Sequence, residues 1–220
     1  MTTDKAASLA SARGERRRAK TRASIVAAAE KLLAHTAPES VRIEDVAALA
    51  GVSPASVYVH FGTKDGLVAA TTEHLLEIAT TEIAAVHSNN KRAVDRVIAT
   101  GRAYLQLLID HPALTRYLTA RALRTDESAS PTDVRIDNRF ETARVTFQQQ
   151  IQEAIDDGDV RSLDARLMSH FLFGAWVGLA TLSLGGNSYP LAPHDVSRAG
   201  LQALEVLTRG ASSWSVDAGD

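Results

Sequence analysis

Residues 42–67 read RIEDVAALAGVSPASVYVHFGTKDGL, and this stretch decides the fold. Val46, Ala47, Leu49 and Ala50 give the first part an apolar face at helical spacing. The alanines are small enough for a second helix to cross closely. Gly51 stands where a helix ends in the left-handed conformation, which glycine enters without steric cost. Ser53 is suited to cap the next helix, and Pro54 fits its first turn, where no amide donor is missed. The second helix, from Pro54 to about His60, is too short to be stable alone. Val57 and Phe61, four residues apart, are its anchors. Ala55, Ser56, Val59 and His60 then face outward, with Tyr58 near the rim. Two short helices joined by a glycine turn present the second helix to the major groove of DNA. Ser56 and His60 can hydrogen-bond base edges there, and Ala55 or Val59 can touch a thymine methyl.

The charge distribution agrees with this reading. The chain of 220 residues carries a formal net charge of −2, which by itself argues against DNA. Through Lys64, however, ten Lys and Arg face six Asp and Glu, and the excess of acid lies entirely beyond that point. Basic residues belong where phosphates are met. Arg16, Arg17, Arg18, Lys20 and Arg22 form the densest run, ahead of a helix carrying Ile25, Ala28, Ala29, Leu32 and Leu33. There is no cysteine, so disulfides and thiolate metal sites are excluded. The start of the chain lacks the apolar core of a signal peptide, and a cytoplasmic location is expected.

The remainder reads as stacked helices. A long element from Gly66 to about Val86 joins the parts. Lys91–Ile109 is broken by Asp110, His111 and Pro112, and Ala113–Leu123 follows. After a loop over Arg124–Thr132 come Asp133–Ile155, Leu163 to about Leu184, and Asp195–Arg209, for about nine helices in all. Phe171–Leu184, FLFGAWVGLATLSL, has no charge, but fourteen residues fall short of the roughly twenty a membrane span needs. With Gly174 and Gly178 four apart, it is expected to be buried, one side in its own domain and one against a second copy. The final helix (Val196, Leu201, Leu204, Leu207) is expected to share that interface.

The pattern Gly51, Val52, Ser53, Val57, Tyr58, His60, Phe61, Lys64 and Asp65 resembles the DNA-binding domain of the TetR (tetracycline repressor) family over roughly residues 20–75. Asp157-Gly158-Asp159-Val160-Arg161 is similar to a break in that family's second domain. Arg42 departs from the Ser or Thr that often caps the second helix there. The resemblance implies an all-α protein: a three-helix DNA-binding domain over 16–65, then a helical ligand-binding and dimerisation domain over 66–210. A disordered tail is expected over 1–15 and a mobile one over 211–220.

It further implies that Tyr58 and Lys64 contact phosphates, and it places Arg17, Arg42, Glu44, Ser53 and Pro54 beside the base-facing residues in the DNA surface. The implied partners are a palindromic operator in double-stranded DNA, a second copy of the chain, and a small-molecule effector that releases the repressor. Candidate pocket residues are Tyr104, Leu108, Tyr117 and Phe140, with Arg144, Phe147, Phe171 and Trp176. No cofactor, metal ligand set, catalytic residue or membrane partner is expected. One alternative is a helix-turn-helix regulator controlled by a partner, or acting architecturally, without a small ligand. The other is an all-helical enzyme, although no His-x-x-x-His pair, phosphate loop or nucleophile elbow is present.

Overall fold

The computed structural model describes residues 2–87, 92–123, 131–186 and 188–212. Among them are nine α-helices, a single 3-10 turn (Pro38–Ser40), and no strand. The helices are α1 (Thr2–Leu33), α2 (Ile43–Ala50), α3 (Pro54–Phe61), α4 (Lys64–His87) and α5 (Ala93–Asp110). They are followed by α6 (Pro112–Leu123), α7 (Pro131–Asp156), α8 (Ala165–Thr181) and α9 (Pro193–Ser212). The loop expected over 124–132 lies, for residues 124–130, outside the described residues, and α7 takes in the rest. Beyond Ser212 the expected C-terminal tail is likewise outside them. Among the described residues no helix is long and apolar enough to cross a membrane.

Helix α1 corrects one expectation. Residues 2–15 are helical where the sequence predicts a disordered tail. The stretch carries four alanines and contains no proline, so intrinsic propensity carries the helix backward from its packed half. That packed half is legible in the apolar stripe: Ile25, Val26, Ala28, Ala29 and Leu33 are buried. Residues 13–20 are exposed on every side. Helix α4 runs unbroken across the expected domain boundary at 65/66, and buries Leu67 and Leu75.

Helix α5 is the axis of the body and touches α4, α6, α7, α8 and α9. It admits so many neighbours because of two glycines. A methyl group on Gly101 would lie 2.5 Å from Cζ2 of Trp176 on α8, and one on Gly200 of α9 would lie 2.1 Å from Cδ2 of Leu105. Gly174 and Gly178, the pair expected to allow close contact, have nothing within 4 Å of such a methyl in this chain. Close packing within the body thus rests on Gly101 and Gly200. Val196 and Leu204, expected at a subunit interface, are core residues at 0% and 4% exposure. They share with Gly200 a four-residue spacing that faces α5.

The break between α5 and α6 is compensated chemically. Pro112 has no N–H to give the carbonyl of Leu108, its normal helical partner. The hydroxyl of Thr115, fully buried, donates to that oxygen instead at 2.7 Å. Thr115→Val keeps the shape and removes the donor, leaving a buried acceptor unpaired. It is expected to lower unfolding free energy by about 1–3 kcal/mol in urea titration. A loss under about 0.5 kcal/mol contradicts this role for the hydroxyl.

Candidate nucleic-acid interface

The head is built from α1, α2, α3 and the first turn of α4. Its small core contains Ile25, Ala29, Val46, Ala47, Val57 and Leu67, all buried. On α2 the buried face is Ile43, Val46 and Ala47, with Ala50 partly buried. Leu49, expected on that face, is 51% exposed. The stripe follows the i, i+3, i+4, i+7 series from Ile43, and Leu49 falls outside it.

The turn has the geometry its residues predict. Gly51 is left-handed at φ 69° and ψ 35°. Val52 N–H donates to the Ala47 carbonyl at 3.0 Å and Gly51 N–H to that of Ala48 at 3.3 Å, a Schellman arrangement that satisfies the last carbonyls of α2. Ser53 Oγ accepts from Ser56 N–H at 3.2 Å, capping α3, and Pro54 occupies its first turn. Arg42 stands at the N-cap of α2 and makes no capping bond. Its side chain is 71% exposed and lies 3.7 Å from Glu44, which is itself exposed.

The two ends of α3 are fixed differently. Val57 is buried at 1% and Phe61 is partly buried. Gly62 leaves the helix at φ 74°, and Thr63 Oγ1 then caps α4 by accepting from Gly66 N–H at 2.9 Å. A methyl on Gly66 would come within 2.2 Å of the Phe61 carbonyl oxygen. This contact is with backbone, so α4 approaches α3 only because position 66 has no side chain. The guanidinium of Arg22 lies over the Phe61 ring, 4.9 Å from its centre, and ties α1 to the same corner. The sequence reading singled out neither the role of Gly66 nor the Arg22–Phe61 stacking. Both join parts of the chain that carry no mutual sequence signal.

The outward surface of α3 carries Ala55 and Val59, exposed one turn apart, with Ser56 and His60 half-buried beside them. Val59 is 71% exposed and Tyr58 49%, so Tyr58 stands at the rim rather than beneath the helix. Ser53 and Pro54 are exposed at its N-terminus, and Arg17 is exposed on α1. Lys64 is arranged differently from a free surface cation: its Nζ donates to the Glu39 carbonyl at 2.6 Å, tying α4 to the 3-10 turn. An ammonium has three donors, so two remain for another acceptor.

The expected pocket residues divide into four groups. Tyr104, Phe147 and Trp176 are buried with Phe173 in one aromatic cluster, at centroid separations of 4.7–5.8 Å. Burial pushes the Tyr104 phenol up, so it stays neutral. Leu108 is in the core at 1% exposure. Tyr117 and Phe140 pack at the margin of the core, where the Tyr117 hydroxyl donates to Asp133 at 3.3 Å. Arg144 lies in the seam between α7 and α8, donating to Ser169 Oγ at 2.9 Å and to Gln148 Oε1 at 3.2 Å. Its hydrogen bond to Glu141 holds that carboxyl below the usual range. Phe171 corrects an expectation: it is 58% exposed on the outer face of α8. Leu172 and Trp176 take the inward phase of the helix, and Phe171 falls one step off it.

Fold and site together define an all-α helix-turn-helix protein with a larger helical body. Residues 25–71 match the family described as bacterial regulatory proteins, tetR family. An HTH-type transcriptional repressor of Mycobacterium tuberculosis is 38% identical over 93 residues, 40% of this chain and 46% of that relative. The match thus spans about half the length of the curated relative. The ketosteroid transcriptional regulator KstR2 of Mycobacterium tuberculosis has the same fold, with a TM-score of 0.71 at 20% identity over 88% of this chain and 95% of that one. So does a protein from Saccharomonospora viridis solved in complex with choline, with a TM-score of 0.70 at 19% identity over 85% and 96% of the two chains. Residues 25–71 thus match the N-terminal domain of the tetR family, and the chain shares the fold of those solved proteins.

Gly66→Ala is expected to lower unfolding free energy by about 1–3 kcal/mol, since α3 or α4 must shift. Gly14→Ala, where a methyl meets nothing within 4 Å, serves as the control and should not destabilise. Equal melting temperatures for Gly66→Ala and the parent protein contradict the close approach.

Proposed function

We propose that this chain is a DNA-binding transcriptional regulator, a repressor that binds a palindromic operator as a homodimer and is released by a small-molecule effector. One observation carries the reading. Helix α3 has eight residues, buries Val57, and leaves Ala55, Val59 and Tyr58 exposed on an outer face without acidic side chains. Such a surface approaches base edges without repelling phosphates.

In this reading Tyr58, Lys64, Arg17 and Arg42 contact the phosphate backbone, with Glu44 orienting Arg42 across their 3.7 Å separation. The N-terminal end of α3, where Ser53 and Pro54 are exposed, assists them through the helix dipole. These contacts fix register. Ser56 and His60 hydrogen-bond base edges, and Ala55 and Val59 meet thymine methyls. The side chains are small, so specificity per position is modest and is recovered by two-fold symmetry. Two recognition helices must reach successive major grooves about 34–36 Å apart.

The outer faces of α8 and α9 support the dimer. Leu167 (56%), Phe171 (58%) and Val206 (70%) are exposed there, and Gly174 and Gly178 leave open space between them. The repressor name of the curated relative supports repression, and the choline complex of a protein of like fold supports an effector. A second reading, control by a partner without a small ligand, is favoured by the aromatic cluster that fills the middle of the body.

Tyr58→Phe and Lys64→Ala are expected to weaken binding to every DNA sequence, with Lys64→Ala reducing the salt slope by about one phosphate contact. Ser56→Ala or His60→Ala is expected to alter the preferred bases. A selected motif unchanged in both variants removes them as readers. Gly178→Leu is expected to shift dimers to monomers in sedimentation while helicity persists. An unchanged ratio removes α8 from the interface.

A further inference from the structure

Helices α7, α8 and α9 enclose a cavity of about 500 Å³. Its walls include Ile151 and Ala154 of α7, Met168 and Leu172 of α8, and Leu204 and Leu207 of α9. Free polar groups are scarce in it. Arg161, the charged residue among the described lining, already has an interaction partner in the structure. The Thr208 hydroxyl donates back to its own helix, to the Leu204 carbonyl at 2.9 Å. A surface of this kind is stabilised when an apolar side chain removes it from water.

The side of the cavity formed by α9 runs up to the last described turn of the chain. Leu204, Leu207 and Gly210 all line it. The space beside Gly210 is open, since a methyl group there would meet nothing within 4 Å. Helix α9 is described to Ser212, and the sequence continues over residues 213–220 as SWSVDAGD. Trp214 stands four residues past Gly210 and seven past Leu207, the helical repeat that returns to one face. Two residues span at most about 7 Å even when fully extended, so Trp214 cannot lie far from the end of that wall. An indole buries about 150–250 Å². The other large apolar side chain of the segment, Val216, is out of this register.

We propose that this apolar cavity is a docking site for the chain's own segment after α9, and that its occupant is the Trp214 indole, entering past Gly210. The docked ring ties the end of α9 to α7 and α8 and takes the walls out of water. The inference is independent of the regulator reading, because it concerns only how this chain covers its own apolar surface.

The test is tryptophan fluorescence of the full chain. The other tryptophan, Trp176, is buried at 4% exposure, and the spectrum of Trp214→Ser records it alone for subtraction. The remaining emission, from Trp214, is expected to be blue-shifted from that of free N-acetyltryptophanamide and to be quenched by acrylamide several-fold less. Met168→Gln, which makes one wall polar, should raise that quenching at least twofold. Exchanging two neighbours, Ser213→Trp with Trp214→Ser, turns the indole by about 100° from the cavity face and should expose it. The exchange alters no described residue, so it serves if Met168→Gln does not fold. Trp214→Ser should also take up the apolar dye anilinonaphthalene sulfonate several-fold more than the parent protein. Quenching of Trp214 in the parent as ready as that of the free amide overturns the proposal. So does protection that survives undiminished in either variant. Protection lost on dilution from dimer to monomer assigns the indole to a second copy and overturns docking within one chain. An apolar compound released when the purified protein is denatured, together with an exposed Trp214, gives the cavity to a small molecule and overturns it likewise.

Discussion

The structure depends on the packing of one short helix that cannot exist by itself. An eight-residue helix closes too few hydrogen bonds to offset its nucleation, so α3 persists only where its neighbours hold it. Val57 and Phe61 are the points of attachment to α1, α2 and α4. Three local devices fix its angle: the left-handed Gly51, the Ser53 cap, and the bare backbone of Gly66 against the Phe61 carbonyl. The arrangement leaves the opposite surface of α3 with no structural task, and a surface of small and hydrogen-bonding side chains is free to be specified by whatever it reads.

The head is coupled to the body at several points. Helix α4 begins under the recognition helix and continues into the bundle without a break. The Lys64 ammonium binds the Glu39 carbonyl across the base of the head. At the α5–α6 corner, His111 meets Glu30 and Arg116 donates to the Ala34 carbonyl at 3.1 Å, so the C-terminal end of α1 is held from the body. A displacement of the body helices therefore reaches the reading surface through bonded contacts rather than through a flexible linker. Where a ligand enters matters less to this argument than the fact that α5, touching every other helix of the body, carries the displacement to that corner.

Much of the head was legible because its determinants are local. A glycine, a capping serine, a proline and an i, i+4 apolar pair act within one or two turns, and each imposes its conformation where it stands. The helices of the body were legible for the same reason, with the Asp110–Pro112 break and the Gly158 turn marking their ends. What could not be read depends on which parts of the chain meet. Lys64 meets Glu39 across 25 residues, and Gly101 meets Trp176 across a longer separation still. No composition signals either. Errors of phase have a different origin. Leu49 and Phe171 are large and apolar, and apolarity alone assigned them inward; the helical period turns both outward. Likewise, the aromatics are named as a group by the sequence, but only their mutual distances show that Tyr104, Phe147, Phe173 and Trp176 pack against one another in the body.

The most direct test is selection of bound fragments from a random duplex library with the purified full-length chain at low ionic strength. The account predicts enrichment of a palindrome whose half-site centres are separated by about one helical turn, or a multiple of it. Recovery no greater than that given by serum albumin, or enrichment of a motif without two-fold symmetry, contradicts it.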